Sequence, residues 1–318
     1  MRKLCAIATL SHLLLAFAAA PSWGQDPGAA DATAEQPAAE KPAPAADPAA
    51  AVVAKSAETP QPIDSESAKV TYPRVVKASG DDLWVVDLDL PGIWKVSGEE
   101  RTLFAPGTKL LRKPMNRPWC VVPHPNGGIL VGDSATREIY AIAEPGTKLT
   151  ALNNGYIGIP MAIAVSPDQK TIYVGDAEKR AVFSLPIGGG KPELVVRVNA
   201  RGLDFDDDGQ LWAVTPDADA VVRIDVAAKT STAVITDRPY QFPCGITWSG
   251  DHGYVTDGYG KSIWKFTADG KTEKWFEGDP LTHPVGITST DKSILVADPK
   301  TQQVYEIDRG TQKVTKRL

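Results

Sequence analysis

One phrase recurs six times between residues 71 and 318, and this repetition constrains the fold more than any local feature. Five copies hold a Pro followed by small or apolar residues, a polar turn, an apolar strand that ends in Asp, and a second strand that carries an aromatic residue; the fourth copy has Ala200 and Thr215 at the Pro and Asp positions. The last copy occupies residues 283–287, 294–298 and 304–307. A fixed period of about 40 to 50 residues is typical of repeat architectures.

Each repeat contains four short runs rich in Val, Ile, Tyr and Trp, bounded by turn residues, and no helical periodicity is present. Four strands at this period predict one blade of a β-propeller. The residues at the end of the second strand follow one another at intervals of 39 to 46 residues: Asp87, Asp133, Asp176, Thr215, Asp257 and Asp298.

Six complete units fit into the repeat region. The first unit begins with its own first strand, and the last has a fourth strand at residues 312–317. The sequence therefore predicts an all-β domain over residues 67–318, a six-bladed propeller with four antiparallel strands per blade. Blade six should close the ring by packing on blade one, without strand swap.

Two repeated features are predicted to be structural. The strand-end carboxylates should accept hydrogen bonds from turn amides, because Asp commonly does so at such positions. A recurring aromatic position on the third strand should pack between blades: Trp94, Tyr140, Phe183, Trp264 and Tyr305.

The repeat resembles known propeller families. Pro-x-Gly-Ile followed by Leu-x-Val-Ala-Asp in the last copy is similar to the NHL repeat, and residues 166–174 are similar to a YVTN-type repeat. Both belong to a broad group that includes the gluconolactonase/regucalcin-like (SMP-30-like) propellers. The resemblance covers residues 71–318 and implies the fold, but such propellers include enzymes, sensors and scaffolds, so it does not imply one function.

The N-terminal segment predicts export. Arg2 and Lys3 precede a short apolar stretch at residues 10–20, which is typical of a secretory signal peptide, here residues 1–24 with cleavage before Gln25. An uncleaved anchor is the alternative. Residues 25–66 contain 14 Ala and 7 Pro and are predicted to be a disordered tether. The protein is thus expected in the periplasm, in the cell envelope or outside the cell, with no transmembrane helix after the signal peptide.

The net charge narrows the choice of partners, and the positions of two cysteines argue against a disulfide. The formal net charge of −5 argues against nucleic acid and against an anionic membrane as the primary partner. Cys120 and Cys244 fall in blades two and five, opposite each other in a ring of six. Because a disulfide requires Cα atoms within about 7 Å, we predict two buried free thiols.

The predicted ligand site is the mouth of the central channel. By resemblance to other propellers, first strands line the channel, and the residue after each repeat Pro, or after Ala200 in the fourth copy, points toward its mouth. These candidates are Arg74, Trp119, Met161, Arg201, Cys244 and Val285, with His283 beside them. Arg74 and Arg201 belong to opposite blades and could bind a small anion, with Trp119 as a stacking surface. The alternative is that each arginine pairs with a nearby Asp and binds no ligand.

A metal-dependent enzyme is the second hypothesis. By resemblance, gluconolactonase-like hydrolases bind a divalent metal at this mouth through Glu, Asn and Asp, the oxygen ligands that a hard cation requires. None of the six candidate residues is a carboxylate or an amide. The three histidines of the repeat region, His124, His252 and His283, do not share one end of the ring, which argues against a zinc centre. A lactonase- or lyase-like activity stays the alternative.

Calcium is a minor alternative among cofactors, of which none is expected. Asp204, Asp206 and Asp208 match the opening of a calcium-binding loop, but Thr215 stands where the closing Glu is required. The sequence therefore favours an exported binding or scaffold module. Its expected partner is another protein or a small anionic ligand, and not nucleic acid.

Overall fold

The computed structural model describes residues 69–89 and 92–318, and these form six four-stranded antiparallel sheets without any helix. The first three sheets contain β1 (Pro73–Ser79), β2 (Asp82–Asp87), β3 (Gly92–Ser97), β4 (Glu100–Pro106), β5 (Pro118–Pro123), β6 (Ile129–Asp133), β7 (Glu138–Ile142), β8 (Thr150–Ala151), β9 (Pro160–Val165), β10 (Thr171–Asp176), β11 (Ala181–Pro186) and β12 (Glu193–Val196). The last three contain β13 (Gly202–Phe205), β14 (Leu211–Val214), β15 (Val221–Asp225), β16 (Thr230–Ile235), β17 (Pro243–Ser249), β18 (His252–Asp257), β19 (Ser262–Phe266), β20 (Thr272–Glu277), β21 (Gly286–Ser289), β22 (Ser293–Asp298), β23 (Gln303–Asp308) and β24 (Val314–Lys316).

Every sheet consists of four strands that are consecutive in the chain. The predicted six-bladed propeller with unswapped blades is therefore confirmed. Residues 1–68, which include the predicted signal peptide and tether, lie outside the described residues. No helix long and apolar enough to cross a bilayer occurs in the described part of the chain.

The ring closes where blade six meets blade one. Trp94 of blade one packs in one apolar cluster with Leu295, Ala297 and Val304 of blade six. The backbones approach closely at this seam, since a Cβ on Gly286 would lie 2.6 Å from the Cα of Val75. Only glycine fits there, and side-chain packing rather than a shared strand closes the ring.

The strand-end aspartates hold the connections between blades, as predicted. The Asp133 carboxylate, which is fully buried, accepts hydrogen bonds from the backbone N–H groups of Met115 at 3.0 Å, Arg117 at 2.9 Å and Ala135 at 3.2 Å. Equivalent bonds reach Asp87, Asp176, Asp257 and Asp298. These carboxylates therefore stabilise turns and are not available as an acidic ring for a ligand.

The third-strand aromatics lie between neighbouring blades, as predicted. Tyr140 packs with residues of blade one, Phe183 with blade two and Tyr305 with blade five. The core thus consists of six apolar layers between adjacent sheets, and the first strands remain free to line the axis.

Candidate functional site

The residues that follow the repeat prolines, together with Arg201 after Ala200 in the fourth copy, meet around one cavity on the ring axis. This central cavity has a volume of about 50 Å³ and is partly open to solvent. Its lining includes all six positions identified in the sequence: Arg74, Trp119, Met161, Arg201, Cys244 and Val285. The first strands of all six blades contribute to this cavity, and ligand binding by its residues stays a prediction.

A polar network spans the channel beneath the cavity. Lys77, which lines the cavity from blade one, lies 3.8 Å from the Asp204 carboxylate of blade four. The same carboxylate accepts hydrogen bonds from the Thr247 hydroxyl at 2.9 Å and the Trp248 backbone N–H at 3.0 Å, both in blade five. These bonds join three blades across the axis and close the bottom of the cavity with polar groups. We name this polar layer, formed by Lys77, Asp204 and Thr247, the floor.

Two guanidinium groups define the electrostatics of the cavity. Neither Arg74 nor Arg201 lies within 4.0 Å of a carboxylate in the described part of the chain. Burial, followed by the positive charge of Arg74, lowers the pKa of Arg201. Two partly desolvated like charges repel each other, and a bound anion would relieve that repulsion. The alternative of arginines neutralised by blade aspartates is not what the structure shows.

Trp119 adds a stacking surface and a free donor. The Arg74 guanidinium lies 5.0 Å from the centre of the Trp119 ring, a distance within which a cation is attracted to the ring face. The indole N–H of Trp119 is buried and has no hydrogen-bond acceptor among residues 69–89 and 92–318. A buried unpaired donor is costly, so an acceptor supplied by a ligand would stabilise this arrangement.

Cys120 and Cys244, the two cysteines of the described residues, are free and buried, as predicted. Burial raises the pKa of Cys120 to about 12 and that of Cys244 to about 11. Both thiols are therefore protonated at neutral pH, and neither is an activated nucleophile.

His283 lies on the same face but does not line the central cavity. Its Nδ1 lies 3.0 Å from the carbonyl oxygen of Gly258, and its ring stacks near Phe242 with 5.9 Å between centroids. Burial lowers its pKa from the ordinary value. The structure therefore assigns His283 to an aromatic group beside the cavity.

The three candidate calcium ligands do not converge. Asp204 points into the channel, whereas the Asp206 carboxylate accepts hydrogen bonds from the Gln210 backbone N–H at 2.8 Å and the Trp212 indole N–H at 2.7 Å. Asp208 is exposed in the turn between β13 and β14. No cluster of three His, Cys, Asp or Glu side chains able to hold a metal ion occurs in the described residues.

One end of the ring carries the connections between blades and the connections from second to third strands. We name this end the mouth face. These connections carry twelve basic residues, Lys109, Arg112, Lys113, Arg117, Arg137, Lys179, Arg180, Arg197, Arg201, Arg238, Lys261 and Lys300. They carry six acidic residues, Asp89, Glu178, Asp217, Asp219, Asp237 and Asp279. The opposite face includes the acidic run at residues 206–208. Net charge is thus unevenly distributed between the two faces.

Sequence reasoning missed the longest connection between blades, residues 107–117, which we name the leucine loop. It contains four basic residues, no acidic residue and an exposed Leu110–Leu111 pair. A second cavity runs from this loop to the axis and shares Trp119, Met161 and Arg201 with the central cavity. The signal that could have identified the loop is its length together with leucines flanked by cations.

Comparison with known proteins establishes the class of the fold. No protein-family model matches the sequence, and no curated protein matches it significantly. Among solved structures, virginiamycin B lyase from Staphylococcus aureus is 16% identical, with 78% of this chain and 84% of that chain covered and a TM-score of 0.59. A streptogramin B lyase is 15% identical, with 80% and 85% covered and a TM-score of 0.61. A chain of a nidogen/laminin complex is 16% identical, with 77% and 90% covered and a TM-score of 0.60.

The protein is a six-bladed β-propeller, and its structural neighbours include both lyases and a protein with a macromolecular partner. Likeness at this level of identity establishes the fold alone. The narrower gluconolactonase/regucalcin-like group is not shown by these neighbours and stays a prediction.

Proposed function

We propose that the protein is an exported, non-catalytic binding module that takes an anionic group, a carboxylate or a phosphate, in the central cavity. The observation that supports this proposal most directly is the pair of guanidiniums from opposite blades, Arg74 and Arg201, without a carboxylate partner in the described residues. Arginine is suited to such groups because its planar donors can bind two oxygens at once. The anionic group can belong to a small molecule or to a side chain of a protein partner.

The other cavity residues fit this role. The Trp119 indole adds a buried donor without an acceptor in the described residues, whereas Lys77 at the floor is paired with Asp204 at 3.8 Å. Met161 and Val285 supply an apolar wall, so a ligand with a charged group and a compact apolar body would match the lining. Export follows from the N-terminal sequence, with the charged Arg2 and Lys3 before an apolar stretch.

The metal-dependent hydrolase is less compatible with these residues. Its divalent metal would need several oxygen ligands at the mouth, but the six mouth positions supply two guanidiniums, an indole, two sulfur-containing side chains and a valine. The one carboxylate near the floor, Asp204, is already held by Lys77 and Thr247. The residues at the mouth therefore do not fit a divalent metal.

A thermal-shift screen tests the binding proposal. The full chain is heated with a panel of mono- and dicarboxylates, sugar acids and phosphates, and with Mg²⁺, Ca²⁺ or EDTA. A ligand at 100 times its dissociation constant stabilises the folded state by about 2.7 kcal/mol, which for a domain of this size raises Tm by roughly 5 to 10 °C. We expect a rise with anions that does not require metal.

Two variants make the screen specific. Arg201→Ala should abolish the rise, whereas Arg180→Ala, which removes an exposed guanidinium paired with Asp217 at 2.8 Å, should leave it unchanged. A rise that requires a divalent metal and disappears with EDTA would contradict the proposal and restore the hydrolase hypothesis.

A further inference from the structure

The leucine loop presents an apolar tip to solvent. Leu110 is 45% exposed and Leu111 is 81% exposed, although leucine is usually buried. Three exposed cations flank this pair, Lys109 before it and Arg112 and Lys113 after it. None of the three has a carboxylate within 4.0 Å in the described part of the chain. The tip is therefore an apolar pair surrounded by unneutralised positive charge.

The base of the leucine loop is held firmly, so the tip is presented by the fold. Met115 is buried in the cluster between blades one and two, and its backbone N–H donates to the Asp133 carboxylate at 3.0 Å. The Thr108 N–H donates to the Met115 carbonyl oxygen at 3.2 Å, and the Asn116 side-chain amide donates to the Thr108 carbonyl oxygen at 2.9 Å. These bonds close the loop below the leucines and keep them away from the core.

Two further apolar tips lie on the same mouth face. Between blades two and three, Tyr156 is 42% exposed, and the Lys179 ammonium lies 4.1 Å from the centre of its ring. Phe242, in the connection between blades four and five, stacks on Tyr259 of the β18–β19 connection with centroids 4.6 Å apart, and the two are 40% and 62% exposed. Of the exposed large apolar residues in the described part of the chain, only Leu194 lies outside these three tips.

The three exposed apolar tips and the basic connections of the mouth face together indicate one kind of binding partner. The tips belong to different blade junctions and are separated by basic connections, whereas a protein interface usually has one continuous apolar centre. An anionic lipid surface is extended, takes leucine and aromatic side chains at its boundary and attracts Lys and Arg to its headgroups. We propose that the mouth face docks on an anionic membrane, with the leucine loop as its main insertion point.

The total charge of the chain does not describe the charge of the mouth face. A net charge of −5 argued against such a surface, but the connections of the mouth face hold twice as many basic as acidic residues. Membrane attraction acts over about 8 to 10 Å at physiological salt, so only the face that approaches the lipid contributes.

Vesicle co-sedimentation of the full chain tests the proposal. Vesicles of phosphatidylcholine are compared with vesicles of phosphatidylcholine and phosphatidylglycerol in equal parts, at low and high salt. We expect binding to the anionic vesicles that weakens with salt. Because each Lys or Arg near the surface contributes about fivefold to affinity, Arg112→Glu together with Lys113→Glu should reduce binding by about 30-fold or more.

Matched variants show whether vesicle binding depends on the mouth face. Every variant retains the apolar N-terminal stretch, so a difference between variants does not come from that stretch. Leu110→Ser with Leu111→Ser should reduce binding by at least about tenfold, whereas Leu194→Ser and the opposite-face pair Lys148→Glu and Lys313→Glu should leave it unchanged. Equal binding by the leucine variant and the unaltered chain, or equal binding to both kinds of vesicle, would overturn the proposal. Circular dichroism confirms that each variant is folded.

The outcome is distinguishable from that of the anion-binding proposal. Arg201→Ala should lose the thermal shift with small anions and weaken vesicle binding by at most about fivefold, whereas the leucine variant should keep the thermal shift and lose most vesicle binding. A soluble protein that binds the mouth face when neither vesicle does would also overturn the membrane proposal.

Discussion

Lys77 of blade one and Asp204 of blade four lie 3.8 Å apart across the ring axis. The pair closes the channel beneath the central cavity and connects opposite blades that share no strand. Asp204 also orients Thr247 and the Trp248 backbone of blade five, so this carboxylate joins three of the six blades.

Removal of this carboxylate should destabilise the ring. Asp204→Ala leaves the Lys77 ammonium and the Trp248 N–H without their acceptor, and we expect a loss of about 2 to 4 kcal/mol in the free energy of unfolding. Urea denaturation measures it. Asp208→Ala, an exposed neighbour in the next turn, serves as the control and should have little effect; similar stabilities for the two variants would contradict the assignment of Asp204 to the floor.

Substitution of Asp133, the strand-end aspartate of blade two, should destabilise the fold more than substitution of an aspartate in an exposed turn. Asp133→Ala leaves the buried N–H of Met115 and the partly buried N–H of Arg117 without their acceptor, so we expect a loss of about 3 kcal/mol or more in the free energy of unfolding. Asp225→Ala removes similar bonds to Ala227 and Ala228 in an exposed turn, where water can replace them. Hydrogen exchange should also show faster opening of residues 107–117 in the Asp133 variant alone.

Cys120 and Cys244 should react slowly with thiol reagents in the folded protein. Both side chains are buried, and burial raises their pKa values to about 12 and about 11, so little thiolate forms at pH 8. Alkylation followed by peptide mapping should label both only after denaturation. A linked Cys120–Cys244 peptide in the unreduced protein would contradict the free-thiol assignment.

Acidification should weaken the fold in part through His283. Burial lowers its pKa in the folded chain from the ordinary value of 6.5, so the unfolded chain binds the proton more tightly. The stabilising contribution is therefore present above about pH 6.5 and is lost as the pH falls through the lower pKa of the folded state. Urea midpoints measured from pH 7.5 to 5.5 should decline less steeply in His283→Asn than in the unaltered chain. Parallel declines would exclude a role for His283.

The predicted signal peptide has a direct chemical test. N-terminal sequencing of the exported protein should begin at Gln25, because Ser22 and Gly24 supply the small residues that a signal peptidase accepts. Gly24→Trp should block cleavage and leave the chain associated with the membrane fraction. Export of an uncleaved wild-type chain would instead indicate an anchor.

The sequence was sufficient to predict the blades and the positions at the cavity, for a physical reason. Strand period, turn residues and the recurring aspartate are repeated six times, so an error in one copy is corrected by the others. Arg74, Trp119 and Arg201 were placed together because antiparallel strands bring equivalent positions of every blade to one end of the ring.

Features that occur in only one of the six repeats could not be predicted in the same way. The sequence groups Asp204 with Asp206 and Asp208 because they are neighbours in the chain, but its partners Lys77 and Thr247 are distant in sequence. The leucine loop is unique to one blade junction, so no second copy marks it as a presented tip. Its exposure depends on Asp133 and Met115, which fix its base.

The unswapped ring has an evolutionary consequence. Since every blade is one uninterrupted stretch of chain, a duplication or deletion of about 40 codons would add or remove a whole blade without leaving an orphan strand. Blade six packs on blade one through side chains, as neighbouring blades do at the other junctions. A circular permutation that places the termini at another blade junction should therefore yield the same ring.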